Sequence, residues 1–466
     1  MKIEDDGFTF DDVLIVPKTS KEGGPNSRKE VDTSTFITSS IKLQTPIISA
    51  NMDTVTESRM AITVARLGGV GIIHRFNSVE EEAAEIRKVK RAQSVIIENP
   101  YYVEPETTIG ELRELIAEKG IRSFPVLKGR KLVGIVTRRD YEFEKSKNKK
   151  VREIMSRDIT TAREGIAIEE AKKILAKNKI EKLPLVDSKG NLAGMITAKD
   201  VGISESYVNA SKDGKGRLLV GASIGISGDY KERLDAVVEA EADFIVVDVA
   251  NGYLTKTSDT IRYVKKSYDI DVIAGNVATR DGVSALKSAG VDCVKVGVGP
   301  GSACLTRPVA GVGYPQLSAI INCSGLEMPI IADGGINRSA DFAKAIAGGA
   351  SAVMIGGLIA GTDESPGAIV NRTGSNYKFY RGMASIRSYS DKATRIGEEV
   401  DVGGYTPEGA ETLIPYKGSA VNIMNNLIGG LRSAMTYVSS SNIKEFQKNV
   451  SFVKISEASK RESKYV

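Results

Sequence analysis

From residue 217 onward, short apolar runs alternate with amphipathic stretches. The runs read RLLVGASIG, ADFIVVDVANG, IDVIAGNVAT, VDCVKVGVGPG, PIIADGGI and SAVMIGGLIAG, and nearly every one ends in Gly, Asn or Asp. Between them lie stretches such as YKERLDAVVEAEA and RDGVSALKSAG, with apolar positions at helical spacing. Short β-branched runs separated by helices indicate parallel βαβ units. TPIISANMD and GVGIIHR supply two more runs before residue 92, and eight such units close a (β/α)8 barrel. The predicted class is therefore α/β, a TIM barrel. A doubly wound sheet is the alternative, disfavoured because no GxGxxG fingerprint opens the first unit.

The barrel pattern is interrupted between residues 92 and 204 by an internal repeat. TIGELRELIAEKGIRSFPVLKGRKLVGIVTRRD is followed by AIEEAKKILAKNKIEKLPLVDSKGNLAGMITAKD. Pro125 matches Pro184, Gly134 matches Gly194, Thr137 matches Thr197 and Asp140 matches Asp200. Each copy reads helix, strand, turn, strand, then Thr-x-x-Asp at a helix start. Two copies of this pattern resemble a pair of CBS modules, which often bind adenine nucleotides. That implies a regulatory nucleotide at Thr137, Asp140, Thr197 and Asp200; plain helix capping by the two aspartates is the alternative. The basic cluster Lys145–Lys150 reads as solvated linker, and residues 145–156 as the connection between the copies. The expected organisation is barrel over 1–91, insert over 92–204, and barrel with active-site loop and flap over 205–466.

Composition narrows the chemistry. The 46 glycines among 466 residues exceed the ~7% average, so turns and close backbone approaches are expected. A net charge of +5 is too dilute for a nucleic-acid surface. No apolar stretch approaches the ~20 residues of a membrane helix, and the acidic MKIEDDGFTFDD lacks a signal-peptide core. A soluble, cytoplasmic enzyme is expected. The three cysteines, Cys293, Cys304 and Cys323, form no CxxC pair, which disfavours a disulfide framework or a zinc site. His74 is the one histidine, so a Ser-His-Asp hydrolase is a poor fit.

The segment Val296–Thr306, VGVGPGSACLT, leaves a predicted strand at the barrel face where active sites are built. Cys304 in it is a candidate nucleophile, and a buried packing cysteine is the alternative. The latter reading suits Cys293 and Cys323. Asp333-Gly334-Gly335 and Gly356-Gly357 close two further strands; their amides suit a phosphate and Asp333 a ribose diol.

FTFDDVLIVP, SANMDTV, GPGSACLTR, GVGYPQLSA, ADGGI, YRGMAS, PEGAE and GGLRSAMTYV together resemble the IMP dehydrogenase and GMP reductase family over essentially the whole chain. The resemblance implies that Cys304 attacks purine C2, with Thr306 and Glu408 handling protons. Ser302, Asp333, Gly335, Gly356, Gly357, Tyr380, Gly382 and Met383 would hold the nucleotide. Asp248, Asn251 and Gly252 of DVANGY would face the cofactor, NADPH/NADP or alternatively NAD. A potassium ion would take carbonyls of Gly299, Gly301 and Cys304, with Glu462 and Ser463 from a neighbouring subunit of a homotetramer or octamer.

Dehydrogenases of this family activate water with a flap Arg-Tyr pair; here Arg395 is followed by Ile396, so the pair is incomplete. DVANGY, GVGYPQLSA, MTYV, GMAS and Gly357, which stands where dehydrogenases usually carry a serine, resemble the reductases. The insert, the C-terminal RESKYV, and Arg75, where reductases usually carry lysine after His74, point the other way. The reading is a GMP reductase. IMP dehydrogenase, with Arg395 as lone base, is the first alternative; a catalytically idle nucleotide sensor is the second.

Overall fold

The computed structural model describes residues 7–18, 24–92, 96–396 and 406–462, with backbone alone at 203–205, 392–393 and 395–396. Eight parallel strands close a barrel in chain order: Ile47–Ser49, Val70–Ile73, Val220–Ile224, Phe244–Asp248, Asp271–Val277, Cys293–Val296, Ile330–Asp333 and Ala352–Ile355. The eighth pairs back to the first through Val353↔Ile47, Met354↔Ile48 and Ile355↔Ser49. These are the eight runs read from the sequence. They are short and almost wholly buried, which is why they read as continuous apolar runs rather than alternations.

Alternate residues fill the barrel: Ile48, Val70, Ile72, Phe244, Val246, Ile273, Ile331 and Met354 belong to one buried cluster. Phe244 occupies space that a side chain at Gly221 would need. Helices Ser58–Arg66, Val79–Ala92, Tyr230–Glu239, Thr255–Ser267, Arg280–Ser288, Gln316–Cys323 and Ser339–Ala347 are among those that follow the strands. A two-stranded antiparallel sheet, Val13–Ile15 with Phe452–Lys454, ties the two ends of the barrel unit together.

The chain forms two compact units. One comprises residues 1–92, 209–214 and 218–466; the other comprises 93–208 and 215–217. The second unit thus runs to 208 rather than 204, and the chain touches the barrel unit once before finally returning. At that return Lys90 is buried, donating to Asp243 Oδ2 at 2.6 Å, to Asp213 Oδ2 at 3.0 Å and to the Leu218 carbonyl at 3.2 Å.

Within the second unit the repeats fold alike. Helix Ile109–Lys119 precedes strands Ser123–Lys128 and Lys131–Thr137, and helix Ile168–Asn178 precedes strands Lys182–Val186 and Leu192–Thr197. Each copy has its own buried core, around Phe124 and Val136 in the first and Leu183 and Ile196 in the second. The basic segment is not the free linker its composition suggested. Ile109 N–H donates to the Lys149 carbonyl at 2.9 Å and Gly110 N–H to that of Lys147 at 2.9 Å. Val151 is fully buried in the first copy's core. Lysine heads remain solvated while the backbone beneath them satisfies a helix start.

Candidate active site

Strand ends on the C-terminal rim of the barrel carry the polar groups, as expected where loops follow parallel strands. After the sixth strand, Gly297 and Gly299 take positive φ and turn the chain into the loop bearing Ser302 and Cys304. A Cβ at Gly297 would strike the Asp333 carbonyl, so this loop lies directly on the end of the seventh strand. Gln316 bridges the two, donating to the carbonyls of Val296 at 2.9 Å and Asp333 at 3.2 Å.

The cysteine loop is sewn to the segment around Glu408. Leu305 N–H donates to the Glu408 carbonyl at 2.7 Å, Ala410 N–H donates to that of Ala303 at 2.9 Å, and Cys304 bridges Gly409. Gly382 fits because a Cβ there would sit 2.6 Å from the Ala303 carbonyl oxygen and 2.9 Å from Gly409 Cα. Three segments distant in sequence, 302–306, 380–385 and 408–410, therefore meet at one place. The Cys304 thiol donates to Thr306 Oγ1 at 3.2 Å. Cys304, Thr306 and Glu408 are all partly exposed. By contrast Cys293 and Cys323 are buried, and burial pushes the Cys323 thiol up to about 12 and that of Cys293 further still.

The nucleotide-binding candidates lie around the same loop. Ser302 Oγ and Tyr380 Oη are 3.1 Å apart. Tyr380 is buried, and that burial raises its pKa against the opposing Ser302 bond, so the phenol stays neutral. Gly334 and Gly335 take positive φ beyond Asp333, and a Cβ on Gly334 would meet Pro300 Cγ at 2.9 Å. Gly356 lies nearby: a Cβ built there falls 3.8 Å from Tyr380 Oη. At Gly357 a Cβ would collide with Ser302 Oγ, so this chain has no room for a side chain there while Ser302 holds its position. The following Arg381 is held by Asp53, with Nε–Oδ2 at 2.8 Å, and precedes Gly382 and Met383.

Asp248, at the end of the fourth strand, accepts from Asn51 Nδ2 at 3.0 Å and pairs with Lys295 at 2.7 Å. Lys295, midway along the sixth strand, also donates to Asp333 Oδ2 at 2.7 Å and to Asn276 Oδ1, while Asn276 Nδ2 donates to the same Asp333 oxygen at 2.9 Å. Burial raises the Asp248 pKa, but Lys295 outweighs it and holds the carboxyl below its ordinary range. An ionised carboxylate at a strand end, beside Asn251 and Gly252, can accept hydrogen bonds from a ribose diol. Gly252 N–H donates to the Asn276 carbonyl at 2.7 Å, which fixes that turn. Asn51, Asn276 and Lys295 were missed in the sequence. A lone lysine within the apolar run VDCVKVGV was the available signal, because a buried charge demands partners.

The remaining expected residues lie on other elements or outside the described residues. Arg395 lies in the last turn of helix Ile386–Ile396, and its side chain is outside the described residues. Glu462 ends the exposed helix Glu457–Glu462, and Ser463 lies outside the described residues. In the second unit Asp140 Oδ2 accepts from Thr137 N at 2.7 Å and Thr137 Oγ1 at 2.8 Å. Asp200 Oδ2 likewise accepts from Thr197 Oγ1 at 2.5 Å. Both pairs cap helices, and both leave one carboxylate oxygen outside these bonds. Among the described residues no helix is long and apolar enough to cross a membrane.

A closed eight-stranded barrel with a thiol-bearing loop and clustered carboxylates on its C-terminal rim has the form of a TIM-barrel enzyme. The model of the IMP dehydrogenase / GMP reductase domain matches residues 7–465. The chain belongs to that family, whose members are purine-nucleotide oxidoreductases that use nicotinamide cofactors. It is 46% identical over 468 residues to inosine-5'-monophosphate dehydrogenase of Nitrosopumilus maritimus (strain SCM1), covering 98% of each chain. It is 49% identical over 469 residues to the enzyme of that name from Aquifex aeolicus (strain VF5), covering 98% of this chain and 95% of the relative. Among solved structures it resembles Trypanosoma brucei GMP reductase bound to guanosine 5'-monophosphate, at TM-score 0.91 and 40% identity over 99% and 98% of the two chains. The T. brucei enzyme bound to guanosine 5'-triphosphate matches at TM-score 0.80 and 36% identity, over 97% and 98%.

Proposed function

We propose that this protein is a GMP reductase, converting GMP to IMP and ammonia. The observation that carries the choice is Arg395 followed by Ile396, where the hydrolytic members need an Arg-Tyr pair to activate water. A cysteine-bound purine is common to both reactions, and the water-attack step distinguishes them. Without a competent base, hydride transfer remains and hydrolysis fails.

Cys304, as thiolate, adds to C2 of GMP. Amides of the glycine loop supply the electropositive surroundings that a thiolate needs, in place of a histidine. Thr306 and Glu408 deliver the proton on which the 2-amino group leaves as ammonia, and C2 is left bonded to Cys304 Sγ as a thioimidate. Bound nicotinamide supplies hydride chemistry at C2, held by Asp248, Asn251 and Gly252. Expulsion of the thiolate then gives IMP and frees Cys304. Ser302, Gly335, Gly356, Gly357, Tyr380, Gly382 and Met383 hold the phosphate and base, and Asp333 the ribose. The inserted unit acts as a CBS pair binding a regulatory nucleotide at Thr137, Asp140, Thr197 and Asp200. Incubation of GMP with NADPH should yield IMP and ammonia in equal amounts; absence of ammonia would refute the reading.

IMP dehydrogenase is the second reading, favoured by the name that the 46% and 49% identical relatives carry. In that case Arg395 alone activates water.

A further inference from the structure

Lys295 is a deeply enclosed cation of the barrel rim, its side chain 4% exposed. Three acceptors surround its ammonium: Asp248 at 2.7 Å, Asp333 Oδ2 at 2.7 Å, and Asn276 Oδ1. An ammonium has three N–H donors, so these partners exhaust its capacity. Asp248 ends the fourth strand, Asn276 lies in the fifth, Lys295 in the sixth and Asp333 ends the seventh. The chain of contacts Asn51–Asp248–Lys295–Asp333 thus crosses the mouth of the barrel. The carboxylates themselves are 21% and 22% exposed, so each has one side in the protein and one toward the open rim.

We propose that Lys295 is a positioning residue that couples the two halves of the site, so that a nucleotide ribose on Asp333 tightens binding of a nicotinamide ribose on Asp248, and the reverse. The proposal rests on the reading of Asp333 and Asp248 as ribose ligands. Its physical basis is a shared cation. A hydroxyl donated to Asp333 draws charge from that carboxylate and weakens its hold on the ammonium, which then shifts toward Asp248. Asp248 is thereby fixed in place, and less is lost on ordering it when the second ligand arrives. Coupling between sites is reciprocal, so either ligand reports it. Lys295 touches neither reacting atom, and its contribution is geometry and charge.

The test uses IMP with a reduced nicotinamide cofactor, a pair that does not react whichever member of the family this is. IMP affinity is measured by calorimetry on the full-length protein, alone and with saturating NADPH or NADH. The parent should bind IMP at least about five-fold more tightly with cofactor present, the lower end of ordinary coupling. Lys295→Met should bring that ratio below about two-fold while IMP still binds alone; Lys295→Arg, which keeps the charge, should retain part of it. If Lys295→Met fails to fold because two carboxylates lose their cation, Lys295→Gln, whose amide still offers two N–H donors but no charge, carries the same expectation. A ratio near the parent's in a folded Lys295→Met protein, or no coupling in the parent, would overturn the proposal. Failure of the parent to bind IMP at all would overturn the purine reading beneath it.

Discussion

The Cys304 thiol donates to the Thr306 hydroxyl at 3.2 Å, within a loop whose next residue, Leu305, is bonded through its N–H to the Glu408 carbonyl. Cys304, Thr306 and Glu408 are thus brought together by backbone pairing of 303–305 with 408–410. The other two cysteines lie in the packed interior.

That contrast gives a labelling experiment. At pH 8 a thiol displaced to about 12, as Cys323 is, exposes only about one thiolate in 10⁴. Its fraction rises with pH, but burial keeps reagent away from it and from Cys293. Native protein treated with iodoacetamide at pH 8 should take up one adduct per chain, at Cys304, and saturating GMP should slow that uptake. Peptide mass mapping reads the site.

Cys304→Ser should reduce turnover to background while GMP affinity stays within a few fold, since only the covalent step needs sulfur. Cys293→Ser should keep its activity and lose roughly 1–3 kcal/mol of stability through a polar atom in a packed strand. Steady-state rates and chemical denaturation distinguish the two.

Lys90 joins helix Val79–Ala92 to Asp243, Asp213 and the Leu218 carbonyl, where the chain re-enters the barrel unit. Burial raises the Asp243 pKa, with Lys90 opposing. Lys90→Ala takes the cation from the mostly buried Asp243 carboxylate and should cost about 3–5 kcal/mol. Because an unpaired buried carboxylate is protonated more readily folded than unfolded, the deficit should shrink as pH falls toward 4. Urea denaturation at pH 5 and pH 8 measures it.

Much of this was legible in the sequence, and the exceptions have causes. Eight apolar runs marked the barrel strands because parallel strands are buried on both faces. The thiol loop was legible from its glycines. The triad Asp248–Lys295–Asp333 was not, because its members sit 85 residues apart at the extremes and meet only when the strands close. The basic segment 145–150 misled in the other direction: composition reports side-chain solvation, while its carbonyls were already committed to the helix start at Ile109 and Gly110.

Residues 93–208 have cores of their own, and the barrel strands lie on both sides of them in sequence. Replacing them by a short linker should leave a folded barrel with basal turnover and abolish any response to adenine or guanine nucleotides. Persistent regulation in the shortened protein would remove the inserted unit from that role.

The direction of reaction tests the central claim. Loss of a general base typically costs ~10²–10⁴-fold, so an incomplete Arg395-Ile396 pair should cripple hydrolysis while sparing hydride transfer. Absorbance at 340 nm, followed from mixing to steady state, reads both directions at once. We expect steady consumption of NADPH with GMP, and with IMP and NAD a burst of at most one NADH per active site followed by slow or no XMP formation. Sustained XMP production faster than GMP reduction would contradict the account and make Arg395 the working base of a dehydrogenase.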